Sequence, residues 1–76
     1  MDKIKIKELR VQLCKQLHEF ATKKGITHEV ISEKTGLQRS NVTRMLTGKY
    51  TPTLDNFLLL LEALDIFINF EAKNNG

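Results

Sequence analysis

Arg39 and Arg44 stand in a stretch, Lys34 to Leu54, that holds four basic residues, counting Lys34 and Lys49, and no acid. A guanidinium is a planar fork that can bond both O6 and N7 of a guanine, a contact that discriminates between bases by ~1–3 kcal/mol. The tail has the opposite sign, with Asp55, Glu62, Asp65 and Glu71 against Lys73, inside a net charge of +3. Positive charge gathered in the middle of a folded chain favours a polyanionic partner, because phosphate contacts supply most sequence-independent nucleic-acid affinity. Taken alone, the same charge pattern also describes an ordinary solvated surface.

A second pair with chemical potential is Cys14 and His18, one helical turn apart. They can supply two corners of a zinc tetrahedron, but no further ligand cluster completes it. As thiol nucleophile and base they lack an orienting third group, and so short a chain offers little room for a substrate cleft. The expectation is no metal, no cofactor and no enzymatic activity, with Cys14 a partly buried thiol and His18 a surface residue.

Seventy-six residues fit one domain over 1–76, because a chain this short buries only ~60–65% of its unfolded surface and cannot divide that between two cores. Its 41% hydrophobic and 28% charged content is too apolar for a disordered tail. The longest apolar run, Phe57 to Leu61, is far short of the ~20 residues of a membrane span, and the leucines in it read as core and contact surface rather than a lipid-seeking element. The start, Met-Asp-Lys-Ile-Lys-Ile-Lys, alternates lysines where a secretory signal has a continuous apolar block. With a single cysteine, this predicts a cytoplasmic protein that contacts no membrane.

Glycines at 25, 36 and 48 and Pro52 cut the chain into helix-sized pieces. Ile6, Leu9, Leu13, Leu17 and Phe20 recur at helical spacing before Lys23-Lys24-Gly25, which predicts a first helix over about 6–24. Thr27 caps a short second helix that buries Ile31 and stops at Gly36. Val42, Met45 and Leu46 define one face of a third, and Thr53 caps a fourth whose stripe is Leu54, Phe57, Leu58, Leu61 and Leu64, ending near Asp65. From about 66 to 72 the period changes to two, which predicts a short C-terminal β-strand in need of a pairing partner. Lys3 to Lys7 reads as a frayed start or a small strand ahead of a DNA-binding arm. The fold class expected is all-α, four helices plus the strand.

Two short helices joined by a glycine turn suit insertion of the second, about 38–47, into the major groove. At about 100° per residue, the apolar face of that helix turns Ser40, Thr43, Arg44 and Thr47 outward, with Arg39 and Asn41 at the flanks. Arg39 and Arg44 are the leading base readers, beside Ser40 and Thr43.

The joint pattern Thr27-His28-Glu29, Ile31, Ser32, Gly36-Leu37, Arg39-Ser40-Asn41-Val42, Gly48-Lys49, Pro52, Leu54 and Ala63-Leu64 resembles the Cro and phage-repressor (XRE) family over residues 6 to 66. That resemblance implies a helix-turn-helix over 27–48 that binds double-stranded DNA and regulates transcription, as a repressor. It implies base contacts from Arg39, Ser40 and Arg44. Phosphate contacts fall at the start of the second helix, Thr27 and His28, and at Asn41, Lys49 and Tyr50. Tyr50 is assigned to a phosphate rather than to stacking on a base.

This chain departs from the family pattern in places. Gln38 replaces the usual serine cap, Leu46 a common glutamate and Leu59 a usually polar residue, and the strand stands where members often add a fifth helix. An extra exposed leucine beside an unpaired strand predicts a homodimer through Leu59, Ile66, Phe67, Ile68 and Phe70. The alternative is an antitoxin that docks a toxin protein through the same C-terminal region and represses its own operon.

Overall fold

The computed structural model describes residues 2–72. They form four helices in chain order: α1 (Lys3–Lys24), α2 (His28–Thr35), α3 (Arg39–Leu46) and α4 (Leu54–Ala63). Each boundary has a local cause. Asp2 accepts a hydrogen bond from the Lys5 N–H at 2.9 Å, so α1 begins at Lys3, three residues before the expected start, and Lys3 to Lys7 is helix rather than strand. Thr27 caps α2 by accepting from the Val30 N–H at 3.2 Å, and Thr53 caps α4 by accepting from the Asn56 N–H at 3.1 Å. Gln38 precedes α3 without any side-chain cap bond, as a glutamine there predicts.

The turn between α2 and α3 is fixed by side chains as well as by backbone. Gly36 takes a left-handed conformation, φ 78°, which a residue with a Cβ adopts only under strain. The Ser32 hydroxyl donates to the Leu37 carbonyl across the turn, and the Leu37 N–H donates to Thr35 Oγ1 at 3.1 Å. The two helices are thereby held at one angle, which any rigid reading head requires.

The core is built from one edge of each helix: Leu17 and Ala21 of α1, Ile31 of α2, Val42, Met45 and Leu46 of α3, and Leu60, Leu61, Ala63 and Leu64, which follows α4. α2 packs on both α3 and α4, and α1 packs on α3. Val42, Met45 and Leu46 are all buried, as expected, and Leu46 makes apolar contact where a charged residue would be desolvated.

Two apolar stripes differ from expectation. Of Ile6, Leu9, Leu13, Leu17 and Phe20, only Leu17 is buried; the burial in α1 falls on Cys14, Leu17 and Ala21. A 22-residue helix extends beyond a body whose other dimensions are 24 and 22 Å, so its first turns have nothing to pack on. In α4, Leu54 and Leu58 are exposed while Leu60 is buried. Four consecutive leucines surround a helix, and packing against α2 selects which of them face inward.

The expected C-terminal strand is absent: no strand occurs among the described residues. The Ile66 N–H donates to the Leu61 carbonyl at 3.0 Å and the Asp65 N–H to the Glu62 carbonyl at 3.2 Å, with Asp65 left-handed at φ 58°. This is a Schellman ending for α4, and it consumes the first residue of the alternating segment. Among the described residues the rest of that segment finds no strand to pair with, and Lys3 to Lys7 is helical.

Candidate nucleic-acid interface

The outward face of α3 carries Arg39, Ser40 and Arg44 exposed, with Asn41 and Thr43 half-buried at its margins. Behind it Val42, Met45 and Leu46 anchor the helix in the core. A base-reading side chain must be held by a backbone that does not yield, and here three anchors fix the helix rotation. Thr47, expected outward, is exposed, but its hydroxyl donates back to the Thr43 carbonyl at 2.8 Å. Its donor serves the end of the helix.

The loop after α3 presents Lys49 and Tyr50, both exposed. Their N–H groups donate to the Arg44 carbonyl at 2.9 and 3.1 Å, so the loop folds back beside the last turn of α3. Gly48 makes that path possible: at φ 80° it lies against α1, with no room for a Cβ beside Val11. The start of α2 approaches the same face. Thr27 is exposed, and its hydroxyl oxygen already caps the helix by accepting from Val30.

His28 is engaged from two sides. Its Nδ1 lies 2.8 Å from Thr43 Oγ1, and its Nε2 lies 3.3 Å from His18 Nδ1. The two imidazoles meet edge to face with centroids 5.3 Å apart. Burial holds the His28 imidazole below its ordinary pKa, with smaller contributions in the same direction from His18 and Arg39. Sequence reasoning placed His18 with Cys14 and overlooked this contact; α1 and α2 are joined here by residues ten apart, a spacing with no helical meaning. Cys14 is buried rather than partly buried, and burial pushes its thiol pKa up. Among the described residues, no three His, Cys, Asp or Glu side chains gather to hold a metal ion, and no helix is long and apolar enough to cross a membrane.

The residues expected at a partner surface lie elsewhere. Ile66, Phe67, Ile68 and Phe70 line an apolar groove with Leu13 and Phe20 of α1 and Leu54 and Phe57 of α4. Phe67 and Phe70 are 91% and 94% exposed, far beyond an ordinary surface residue. Leu59 is exposed on α4 and does not line this groove.

A protein-family model described as helix-turn-helix matches residues 17–66, which include the last eight residues of α1, the two-helix unit and α4. No curated protein and no solved structure matches the chain.

Proposed function

The chain belongs to the XRE family of helix-turn-helix proteins, which bind DNA and regulate transcription, and from that premise we propose that it is a repressor that occupies its operator as a symmetric pair. α3 enters the major groove, where Arg39, Ser40, Thr43 and Arg44 address base edges. Thr27, His28, Asn41, Lys49 and Tyr50 set the register on the phosphates. At His28 both ring nitrogens already face protein groups, so the helix start offers an anion its first backbone N–H groups. The observation that carries this reading is the acid-free, exposed face of α3, with both arginines turned away from a fully buried apolar side.

Two copies related by a two-fold axis would address half-sites ~34 Å apart. Support for pairing comes from the apolar groove, whose lining includes the exposed Phe67, Ile68 and Phe70. The same exposed phenylalanines favour a second reading, an antitoxin whose C-terminal segment holds a toxin protein.

The test is selection of bound duplexes from a randomised pool at near-physiological salt. An enriched inverted repeat is expected. An enriched single half-site would retain DNA reading and reject the pair, and no enrichment would reject the operator-binding reading.

A further inference from the structure

His18 of α1, His28 of α2 and Thr43 of α3 form one hydrogen-bonded chain across three helices, all three residues half-buried. We propose that His18 is a positioning residue for base reading: with His28 it sets the direction of the hydrogen bond at Thr43, and so which base edges the Thr43 hydroxyl can address. This rests on the proposed placement of Thr43 in the major groove.

Counting protons shows why the direction can change. A neutral imidazole has one N–H and one lone pair, and a hydroxyl can donate once and accept twice. With both rings neutral, the chain can run in either of two directions. In one, His18 Nδ1–H donates to His28 Nε2 and His28 Nδ1–H donates to Thr43. In the other, Thr43 donates to His28 Nδ1 and His28 Nε2–H donates to His18. One added proton removes the second arrangement. If it sits on His28, both nitrogens of that ring donate and Thr43 accepts. If it sits on His18, its Nδ1–H must donate to His28 Nε2, which forces the remaining His28 proton onto Nδ1, and again Thr43 accepts. A second added proton would set N–H against N–H across the 3.3 Å contact, so the chain holds one extra proton and no more.

The effect is felt at the Thr43 end. When Thr43 must accept from His28, its own O–H is free to donate outward, and it pairs with base acceptors such as guanine O6 and N7 or thymine O4. When Thr43 donates inward, only its lone pairs face the groove, and they suit the cytosine and adenine amino groups. The groups acting on His28 are His18 from α1 and the Arg39 guanidinium from α3; with burial they favour the neutral ring and leave the choice open near neutral pH. Bound phosphates pull the other way, towards uptake of the proton.

Two measurements test this. In the first, duplexes are selected from a randomised pool at about pH 8 and about pH 6. Wild type should shift its preference at one base step towards acceptor-bearing bases by about fivefold as the pH falls. His18→Gln, whose amide can be turned to match either direction and does not titrate, leaves only the burial-depressed His28 to take the proton. It should keep its helix content and DNA binding and lose most of the shift in that window. Thr43→Val should lose the preference at that step at both pH values and keep the others. The same shift in His18→Gln as in wild type would overturn the proposal. The second measurement is the imidazole ¹⁵N spectrum of the free protein. It should show both His28 tautomers at the higher pH and the proton on Nδ1 at the lower. A proton fixed on Nδ1 at both would overturn the proposal even if no duplex were enriched, an outcome that would by itself reject only DNA reading.

Discussion

A Cβ placed on Gly48 would stand 2.8 Å from Val11 Cγ1, so the loop after α3 is seated directly on α1. Gly48→Ala meets both this contact and the left-handed φ of 80°, and should cost about 1–3 kcal/mol. Val11→Ala in the same chain removes the contact and leaves the backbone strain, so the double variant should be less destabilised than the two singles added, by about 1 kcal/mol. Urea unfolding of the four proteins of the cycle measures the difference; strict additivity would mean that the loop moves away at no cost.

Arg44 and Lys49 should separate by kind of effect. Arg44→Ala is expected to relax base preference at one position, worth about 1–3 kcal/mol on the best site. Lys49→Ala should weaken every duplex about equally and lower the salt slope by about one. Titrations of a target and a scrambled duplex over a range of salt give both quantities, and a uniform loss in both variants would contradict the assignment.

α3 starts without a side-chain cap, so Gln38→Ser should supply one. A hydroxyl in place of the amide can accept from the first turn of the helix and should raise stability by about 0.5–1 kcal/mol. Thermal melts would show the gain. A decrease would mean that the Gln38 stem covers apolar surface that serine leaves open.

Stability should also fall with acid through His28. Its folded-state pKa is lowered, first by burial and then by His18 and Arg39, so the unfolded chain takes up the proton first. The contribution is therefore fully present above the unfolded value of about 6.5 and is lost as pH falls through the lower folded value. Melting temperatures recorded from about pH 7 to about pH 5 should decline, and His28→Gln should flatten that part of the decline.

What the sequence made legible was local. Thr27, Thr53, Gly25, Gly36 and Gly48 act through backbone groups within a few residues, and each stands where it was expected. Asp2 acts in the same local way, at the second position of the chain, and its cap was there to be read. Burial was less legible because it depends on what lies opposite: the periodicity of α1 is genuine, but the residues it buries are Cys14, Leu17 and Ala21 alone. The tail misled for a related reason. Alternation in Ile66 to Glu71 describes a chain that can pair, and carries no information on whether an edge exists to receive it. The outward face of α3 followed from three buried anchors, whereas the contact of His18 with His28 needed the packing of two helices and had no pattern of its own.

Cys14 is 3% exposed, with its thiol held protonated by the burial that surrounds it. Reagents that attack thiolates should therefore react with it chiefly when α1 lifts from the rest of the molecule. The chain thus carries its own clock for opening: the rate at which Cys14 is alkylated counts the excursions of α1, and a bound operator that holds the helices together would slow that clock in proportion to its grip.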